Sequence, residues 1–177
     1  AESCDEGQWT LSERCVPELG CGSDRCITAQ GGDCFAVYTC MAEAGCDVTD
    51  LTSLCARTCL GKADDYSRGA YRQLTTCQTN CGNDFGCQAD SCMEQLLGCY
   101  RDGTDGSQTC VASVACAMAC AAGDLACERR CVNRAGYWEQ ERTMTVIACR
   151  DFYCPSRDAR CQSTADESCS FIGECAQ

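Results

Sequence analysis

Hydrophobic residues recur along this chain at helical spacings, and no stretch shows the sustained period-two alternation of a strand. The clearest stripe runs through Phe85, Ala89, Cys92, Leu96 and Cys99, which step by four, three, four and three positions. Residues at this spacing share one face of an α-helix. The pattern therefore predicts an all-α protein.

Polar residues at helix starts and a glycine at a helix end divide the chain into short helices, four in each half. The predicted helix-capping residues are Asp33, Thr49 or Asp50, Asp64 or Asp65, Thr109 and Asp124, with Gly61 ending the second helix. A helix from Cys110 to Gly123 would carry no charge. We expect it to be buried, at the centre of its module or against a neighbouring chain.

The cysteines form an internal repeat. The ten cysteines of residues 34–99 recur in residues 110–175, each displaced by 72 to 77 positions. Tyr66 and Trp138 coincide in this repeat, as do Ala63 and Ala135. The sequence thus predicts an irregular, crosslinked N-terminal cap over 1–30, a ten-cysteine module of four helices over 31–103, and a second such module over 104–177.

Composition explains why so many cysteines are present. The 177 residues include 24 cysteines but only 23 Phe, Leu, Ile and Val residues, too few for an ordinary hydrophobic core. Disulfides can replace that core, and the even cysteine count of each segment predicts twelve bridges with no free thiol. We therefore expect a secreted or cell-surface protein from an oxidising compartment. Thirteen arginines beside the single lysine, Lys62, hint at a GC-rich, bacterial source.

Several classes of function are excluded by residue types. The chain has no histidine, so it has neither a histidine-based catalytic triad nor a histidine-ligated zinc. Cysteines are never closer than four positions, which excludes the Cys-x2-Cys metal and redox motifs. A net charge of −12 opposes nucleic-acid binding, and no apolar stretch reaches 18 residues. We predict no catalytic residue, no metal, no cofactor and no membrane span, and hence no enzyme.

Two groups of proteins resemble this pattern. The twin Cys-x3-Cys pairs of residues 55–81 resemble, in spacing only, the small translocase chaperones of the mitochondrial intermembrane space. In those chaperones nested disulfides join antiparallel helices. Residues 31–177, with segments such as ACAAGDLACERRC, resemble the secreted cysteine-rich helical repeat proteins of the myxobacterial type, a group without an established activity. The resemblance implies stapled helical hairpins and carries over no binding or catalytic residue.

Antiparallel second and third helices would bring their paired cysteines together as nested staples. The predicted bridges are Cys59–Cys77 and Cys55–Cys81 in the first module, and Cys131–Cys149 and Cys127–Cys154 in the second. Between the first and fourth helices we predict Cys34–Cys99, Cys40–Cys92 and Cys46–Cys87.

The composition and the repeat favour a secreted, non-catalytic structural or interaction protein, which could self-assemble into a surface layer or filament. Its partner would be another protein or a second copy of the chain. Trp9, Leu11 and Leu19 in the cap are the candidate interface residues, because they are too few to form a core alone. Two alternatives remain open: a thiolate Cu(I)-binding or storage protein, and a secreted inhibitor or small-ligand carrier, although no loop in the sequence suggests an inhibitory one.

Overall fold

The computed structural model confirms an all-α, disulfide-rich fold. It describes residues 4–5, 8–9, 19–20, 27, 29–104, 106–156, 158, 161, 165, 167–169 and 175. The helices are α1 (Cys34–Ala44), α2 (Leu54–Leu60), α3 (Asp65–Cys81), α4 (Phe85–Ser91), α5 (Met93–Tyr100), α6 (Cys110–Met118), α7 (Leu125–Arg134) and α8 (Tyr137–Tyr153). Two short strands, β1 (Cys4–Asp5) and β2 (Gln8–Trp9), pair antiparallel with Cys4 opposite Trp9.

Four predicted capping residues begin helices in the structure. The side chains of Asp33, Asp64, Thr109 and Asp124 each accept a hydrogen bond, of 2.8 to 3.3 Å, from the backbone N–H three residues further along. This bond satisfies one of the N–H groups that the first turn of a helix leaves without an intrahelical partner. The starts of α1, α3, α6 and α7 are therefore set by local sequence.

The prediction for the second helix was wrong at its start and right at its end. Ser53, not Thr49 or Asp50, caps α2, and Gly61 follows its last residue. The Asp50 carboxylate instead accepts hydrogen bonds from the N–H and the hydroxyl of Thr52. Because this Asx turn already uses the Asp50 side chain, the helix begins one turn later than predicted.

The predicted fourth helix of the first module is interrupted. It consists of α4 and α5, which are separated at Cys92, where φ is −112° and ψ is −7°. The corresponding segment of the second module, after Cys154, is described only at isolated residues. Its helical prediction therefore lies largely outside the described residues, as does most of the predicted cap over 1–30.

The chain divides into two compact units, Ala1–Thr79 and Asn80–Gln177. The sequence repeat places its own division at residues 103 and 104, so the units of packing and the units of repetition do not coincide. The reason lies in α4 and α5, which belong to the first repeat but pack on α8. Phe85 of α4 forms a buried cluster with Cys149 and Cys169.

The first unit has a small core in which α1 packs on α2. Val37, Met41, Leu60 and Leu74 are almost fully buried there, and Leu19 is buried as well. The Leu19 carbonyl accepts a 3.0 Å hydrogen bond from the Arg57 guanidinium. Residue 19, which the sequence offered as part of an interface, is therefore interior and unavailable to a partner.

In the second unit, disulfides take the place of aliphatic side chains. Cys110 and Cys175 form a buried cluster with Val146, while Ile147 and Val132 fill the space between helices α6, α7 and α8. Burying a half-cystine removes apolar surface from water as a small aliphatic residue would. The low aliphatic content of the chain is thus compensated inside this unit.

The uncharged helix is not buried at the centre of its module, while its other expected placement, against a neighbouring chain, stays a prediction. The uncharged segment from Cys110 forms α6 only as far as Met118, and one side of that helix is exposed: Val111 shows 44% of its surface to solvent, and Ala112 and Ala115 are also exposed. Only its Cys110, Ser113 and Ala117 are buried. Alanine side chains are so small that leaving them in water forgoes little burial free energy.

All twenty cysteines of the two modules, which lie among the described residues, are disulfide bonded, and no described cysteine is free. The bridges that the structure gives are Cys40–Cys59, Cys46–Cys55, Cys81–Cys87, Cys110–Cys175, Cys116–Cys131, Cys120–Cys127, Cys149–Cys169 and Cys154–Cys161. Three of these in the first module have a counterpart in the second, so the cysteine repeat extends to the bonds themselves.

The predicted cysteines are all bridged, but most of the predicted pairs are wrong. The pairs that the structure replaces are Cys59–Cys77, Cys55–Cys81, Cys131–Cys149, Cys127–Cys154, Cys40–Cys92 and Cys46–Cys87. The staples join the first and second helices of each module, not the second and third. Cys34–Cys99, the counterpart of Cys110–Cys175, stays a prediction, although both cysteines are disulfide bonded.

The backbone between the second and third helices explains this difference. Ala63 forms an isolated parallel bridge with Gly32, the residue before the α1 cap, and Ala135 forms the same bridge with Gln108. After α2, and likewise after α7, the chain is therefore extended and pairs with a residue just before the first helix of its own module. It does not turn back in a tight helical hairpin. The assumption that failed was that the staples join the second helix to the third.

Candidate functional site

The beginning of the third helix is built identically in the two modules. Before α3, a backbone β-bridge pairs Gly32 with Ala63. In it, the Gly32 N–H donates to the Lys62 carbonyl at 2.8 Å and the Asp64 N–H donates to the Gly32 carbonyl at 3.1 Å. A Cβ on Gly32 would lie 2.6 Å from that Lys62 oxygen, so the close approach requires glycine. The extended segment, and with it the direction of α3, is fixed by this contact.

The second module repeats this arrangement with different residues. Gln108 N–H donates to the Arg134 carbonyl at 2.9 Å, and Gly136 N–H donates to Gln108 at 3.1 Å. Here Gly106 is the residue whose Cβ would overlap the Arg134 backbone. The start of α8 at Tyr137 is thus set by the same backbone geometry that sets the start of α3.

Buried polar side chains of α3 and α8 hydrogen-bond to the extended segment that precedes each helix; we call this segment and the helix start the junction. Arg68 Nη1 donates to the Ala63 carbonyl at 2.7 Å, and Gln140 Nε2, at the equivalent position of α8, donates to the Ala135 carbonyl at 3.4 Å. Both side chains are almost fully buried. Hydrogen bonds from buried groups to a loop carbonyl restrict the loop, because breaking them would leave polar atoms without partners.

Two aromatic rings project from these junctions into solvent. Tyr66 and Trp138 are the second residues of α3 and α8, and they occupy the same position in the repeat. They are 87% and 82% exposed, more than any other large hydrophobic side chain among the described residues. Leaving such a ring in water forgoes roughly 3 kcal/mol of burial free energy. The fold does not need these rings for its stability.

Trp138 has an aromatic neighbour and a cation nearby. The Tyr137 ring, 46% exposed, meets it edge-on with 5.0 Å between ring centroids. The guanidinium of Arg101 lies 4.4 Å from the Tyr137 centroid, and its Nε donates to Gln140 at 2.9 Å. Trp, Tyr and Arg are the residues over-represented at the energetic centres of protein interfaces.

Carboxylates lie beside both rings. Asp64 and Asp65 precede Tyr66 and are exposed. Hydrogen bonds from the Ser67 N–H and hydroxyl, with a smaller contribution from the charge of Arg68, lower the pKa of Asp64. In the second module Glu139 lies 3.7 Å from the Arg142 guanidinium. Each exposed ring therefore has both carboxylates and cations nearby, with Arg68 against Asp65 and Arg142 against Glu139.

A second exposed element is the loop closed by Cys46–Cys55. The Asp47 carboxylate accepts from the N–H and the hydroxyl of Thr49, at 2.8 and 2.7 Å, and these hydrogen bonds lower the pKa of Asp47. Asp50 forms the same turn three residues later. The loop therefore has a fixed backbone, and it exposes the apolar side chains of Val48 and Leu54.

The two modules differ at this loop. Eight residues separate Cys46 from Cys55, whereas six separate Cys120 from Cys127. The Asp-x-Thr turns responsible for the fixed backbone are present only in the longer loop. Sequence analysis overlooked this loop because its rigidity depends on a bridge that was predicted with other partners.

Sulfur atoms cluster where the staples meet, but in oxidised form. The Sγ atoms of Cys120, Cys127 and Cys131 all lie within 4.8 Å of one another, and the first-module Sγ atoms of Cys46 and Cys59 are 3.9 Å apart. Each of these atoms belongs to a disulfide. Because thiolates are the ligands of soft metals, such a cluster could accept Cu(I) only after reduction.

Of the residues predicted for an interface, Leu19 alone has a described side chain. Leu19 is buried, Leu11 lies outside the described residues, and only the backbone of Trp9 is described, in β2. The exposed Tyr66 and Trp138 were recognised in the sequence as matching positions of the repeat. The signal that could have identified them as a site was the conservation of an aromatic type between modules next to charged residues.

No family model, curated protein or solved structure matches the chain. Of the helices in the part of the chain that the structure describes, none is both long enough and apolar enough to cross a membrane. The many disulfides are those of a protein that matures in an oxidising compartment.

Proposed function

We propose that this is a secreted or cell-surface, non-catalytic interaction protein that binds a partner through one exposed aromatic ring in each module. The observation that carries the proposal is the equivalence of Tyr66 and Trp138, at 87% and 82% exposure. Both modules keep an aromatic residue at this position, and in both the ring is exposed. Because an exposed ring adds little to stability, we attribute its presence in both modules to binding. The partner is another protein or a second copy of the chain, in which case the protein builds a layer or filament.

The disulfide scaffold supports a role outside the cell. Bridges at every described cysteine keep the helices in place without a large aliphatic core, and they restrict the unfolded ensemble that proteases attack. The resemblance to secreted cysteine-rich repeat proteins of the myxobacterial type, and with it a bacterial source, belongs to this proposal. The carboxylates beside Trp138, Glu139 and Glu141, lie on an open helix face, which suits solvated charges better than catalytic ones.

Site-specific photo-cross-linking tests the proposal directly. p-Benzoylphenylalanine would replace Tyr66 or Trp138 in protein produced in its native extracellular setting, with the same replacement at Tyr153 as the matched control. We expect adducts at both ring positions and none at the control, because Tyr153 is also exposed but lies outside the proposed contact, with its ring centroid 6.1 Å from that of Phe85. An adduct of twice the 19.0 kDa chain mass would identify self-assembly. Absence of adducts at both rings would refute the proposal.

The Cys46–Cys55 loop favours a second candidate, a secreted inhibitor. Inhibitors gain affinity from a loop that is already rigid before binding, and this loop presents Val48 on a bridged, hydrogen-bonded backbone. The same photo-cross-linker at position 48 separates the two candidates. An adduct at 48 without adducts at 66 and 138 would favour the inhibitor, whereas the reverse result would support binding through the rings.

A further inference from the structure

Two of the described disulfides are more open to solvent than the others. In Cys46–Cys55 and in Cys81–Cys87 both half-cystines are partly exposed, whereas every other bridge that the structure gives has at least one buried member. A thiolate breaks a disulfide by direct attack on one of its sulfur atoms, so access to that atom affects the rate. Among the described bridges, these two are therefore the first that a thiol from the surroundings would attack.

Each of these two bridges lies beside a buried sulfur atom of another bridge. Cys46 Sγ is 3.9 Å from Cys59 Sγ, although Cys59 is bonded to Cys40 and is only 1% exposed. Cys81 Sγ is 3.9 Å from Cys92 Sγ, which is also disulfide bonded and is 2% exposed. A sulfur atom released from either outer bridge would thus already lie next to a second disulfide, which is the proximity that thiol–disulfide exchange requires.

From this arrangement we infer that Cys46–Cys55 is a thiol-reactive site, and that its opening is passed on to the Cys40–Cys59 bridge. A small-molecule thiolate attacks Cys55 Sγ, the Cys46–Cys55 bond breaks, and Cys46 leaves as a thiolate. This thiolate attacks Cys59 Sγ, so a Cys46–Cys59 bond forms, the Cys40–Cys59 bond breaks and Cys40 takes the electron pair. The added thiol is oxidised to a mixed disulfide with Cys55 and Cys40 is reduced, so no other reactant is needed.

The second step keeps the loop between Cys46 and Cys55 open. If Cys46 stayed a thiolate, it would attack the mixed disulfide at Cys55 and close the loop again. Once Cys46 is bonded to Cys59, the loop has lost its closing partner, and the free thiol is carried by Cys40 on α1. The rigid loop that exposes Val48 is thereby sensitive to thiols, whatever partner the aromatic rings bind.

The variant Cys55→Ser tests the second step without any added thiol, because it leaves Cys46 unbonded beside the Cys40–Cys59 bridge. After rapid alkylation of the purified variant, peptide mapping should find two forms. One has Cys40–Cys59 with alkylated Cys46, and the other has Cys46–Cys59 with alkylated Cys40. Because each form has one bridge to Cys59, their amounts should differ by no more than about tenfold.

Cys161→Ser is the matched control. It frees Cys154, whose Sγ lies 3.7 Å from the Asp158 carbonyl oxygen and belongs to neither of the groups of three neighbouring sulfur atoms that the described residues form. Cys154 should therefore remain the alkylated residue, with every other bridge unchanged.

Wild-type protein shows whether the native bridges follow the same route, and it decides the case in which Cys55→Ser does not fold. Brief treatment with 2-mercaptoethanol, followed by alkylation, should give a mixed disulfide at Cys55, a Cys46–Cys59 bridge and alkylated Cys40. Alkylated Cys46 beside an intact Cys40–Cys59 bridge, in the treated wild type or as the only form of Cys55→Ser, would overturn the inference. So would equally rapid opening of Cys110–Cys175, whose half-cystines are both buried, because the reaction would then not depend on access.

Discussion

Removing the Cys110–Cys175 bridge should destabilise the protein more than removing Cys120–Cys127, although both lie in the same unit. The comparison uses the double variants Cys110→Ala with Cys175→Ala, and Cys120→Ala with Cys127→Ala. The two bridges differ mainly in the length of chain that each one closes, with sequence separations of 65 and 7 residues. In the chain-entropy model the longer loop contributes more stability.

The other bridges reduce this difference by a calculable amount. Two of them, Cys116–Cys131 and Cys149–Cys169, shorten the covalent path between positions 110 and 175. What remains are the segments 110–116, 131–149 and 169–175, about 32 residues with the links, and this path corresponds to about 3.7 kcal/mol. The seven-residue loop corresponds to about 2.4 kcal/mol. The long bridge should therefore stabilise by about 1.3 kcal/mol more, close to a tenfold change in the unfolding equilibrium.

Denaturant unfolding without reductant measures the difference. Each double variant loses two sulfur atoms. Because Cys110 and Cys175 are both buried whereas Cys127 is partly exposed, the loss of packing acts in the same direction as the loop length. Peptide mapping of each variant must first show that the remaining bridges are unchanged. If the Cys120 and Cys127 variant proved equally or more destabilised, loop length would not govern the stability of this unit, and the reasoning would be refuted.

Two further predictions follow from described contacts and a third from the cysteine repeat. Gly106→Ala should destabilise the protein by at least about 2 kcal/mol, because the new Cβ would overlap the Arg134 backbone carbonyl. Gly69→Ala, inside α3 and with open space around the new Cβ, should stabilise it by about 0.5–1 kcal/mol. Urea unfolding compares the two variants. The hydrogen bond from the Thr104 side chain lowers the pKa of Asp102 in the folded protein. The Asp102 carboxylate therefore stabilises the fold at pH values above the pKa of an unfolded Asp, about 3.9. This stabilisation is lost as the pH falls through the lower pKa of the folded state. The unfolding midpoints of wild type and Asp102→Asn should therefore converge between pH 5 and pH 2; a constant gap would contradict this. Peptide mapping of the oxidised protein should recover a Cys34–Cys99 bridge, the counterpart of Cys110–Cys175. A different partner for either cysteine would show that this bridge is not repeated between the two modules.

Local features of this fold could be predicted from sequence because they depend on near neighbours. Asp33, Thr109 and Asp124 cap their helices through bonds that span three residues. Gly61 ends α2 for an equally local reason. The interruption at Cys92 could not be predicted in this way, since the apolar stripe continues across it without a change of period.

The disulfide pairs could not be predicted because they depend on how helices turn relative to each other. Cys55 and Cys59 lie one helical turn apart, and this spacing fits a partner on either neighbouring helix. The choice is made by the extended bridge at Gly32 and Ala63, which involves residues about thirty positions apart. No periodicity in the sequence records such a pairing.

The equivalence of the two aromatic positions could be predicted from the sequence, but their exposure could not. The match between Tyr66 and Trp138 follows from aligning the two modules, but an aromatic residue on a helix is ordinarily a core residue. Exposure depends on where the helix starts relative to the core. Position 74, two turns further along α3, is fully buried, whereas position 66 points to solvent.

The nesting of the staples has a consequence for the order in which the chain can be oxidised as it enters an oxidising compartment. Of the four cysteines in these two staples of the second module, Cys116 and Cys120 emerge first. Cys116 lies near the end of α6 and Cys120 just beyond it, four residues further on, a spacing that does not favour a bond between the two. Cys120 then meets Cys127 across a separation of 7 residues, before Cys131 can close the 15-residue loop with Cys116. Helix formation thus acts as a template for the chemistry, so a proline placed within α6 should produce scrambled bridges and not merely a weaker fold.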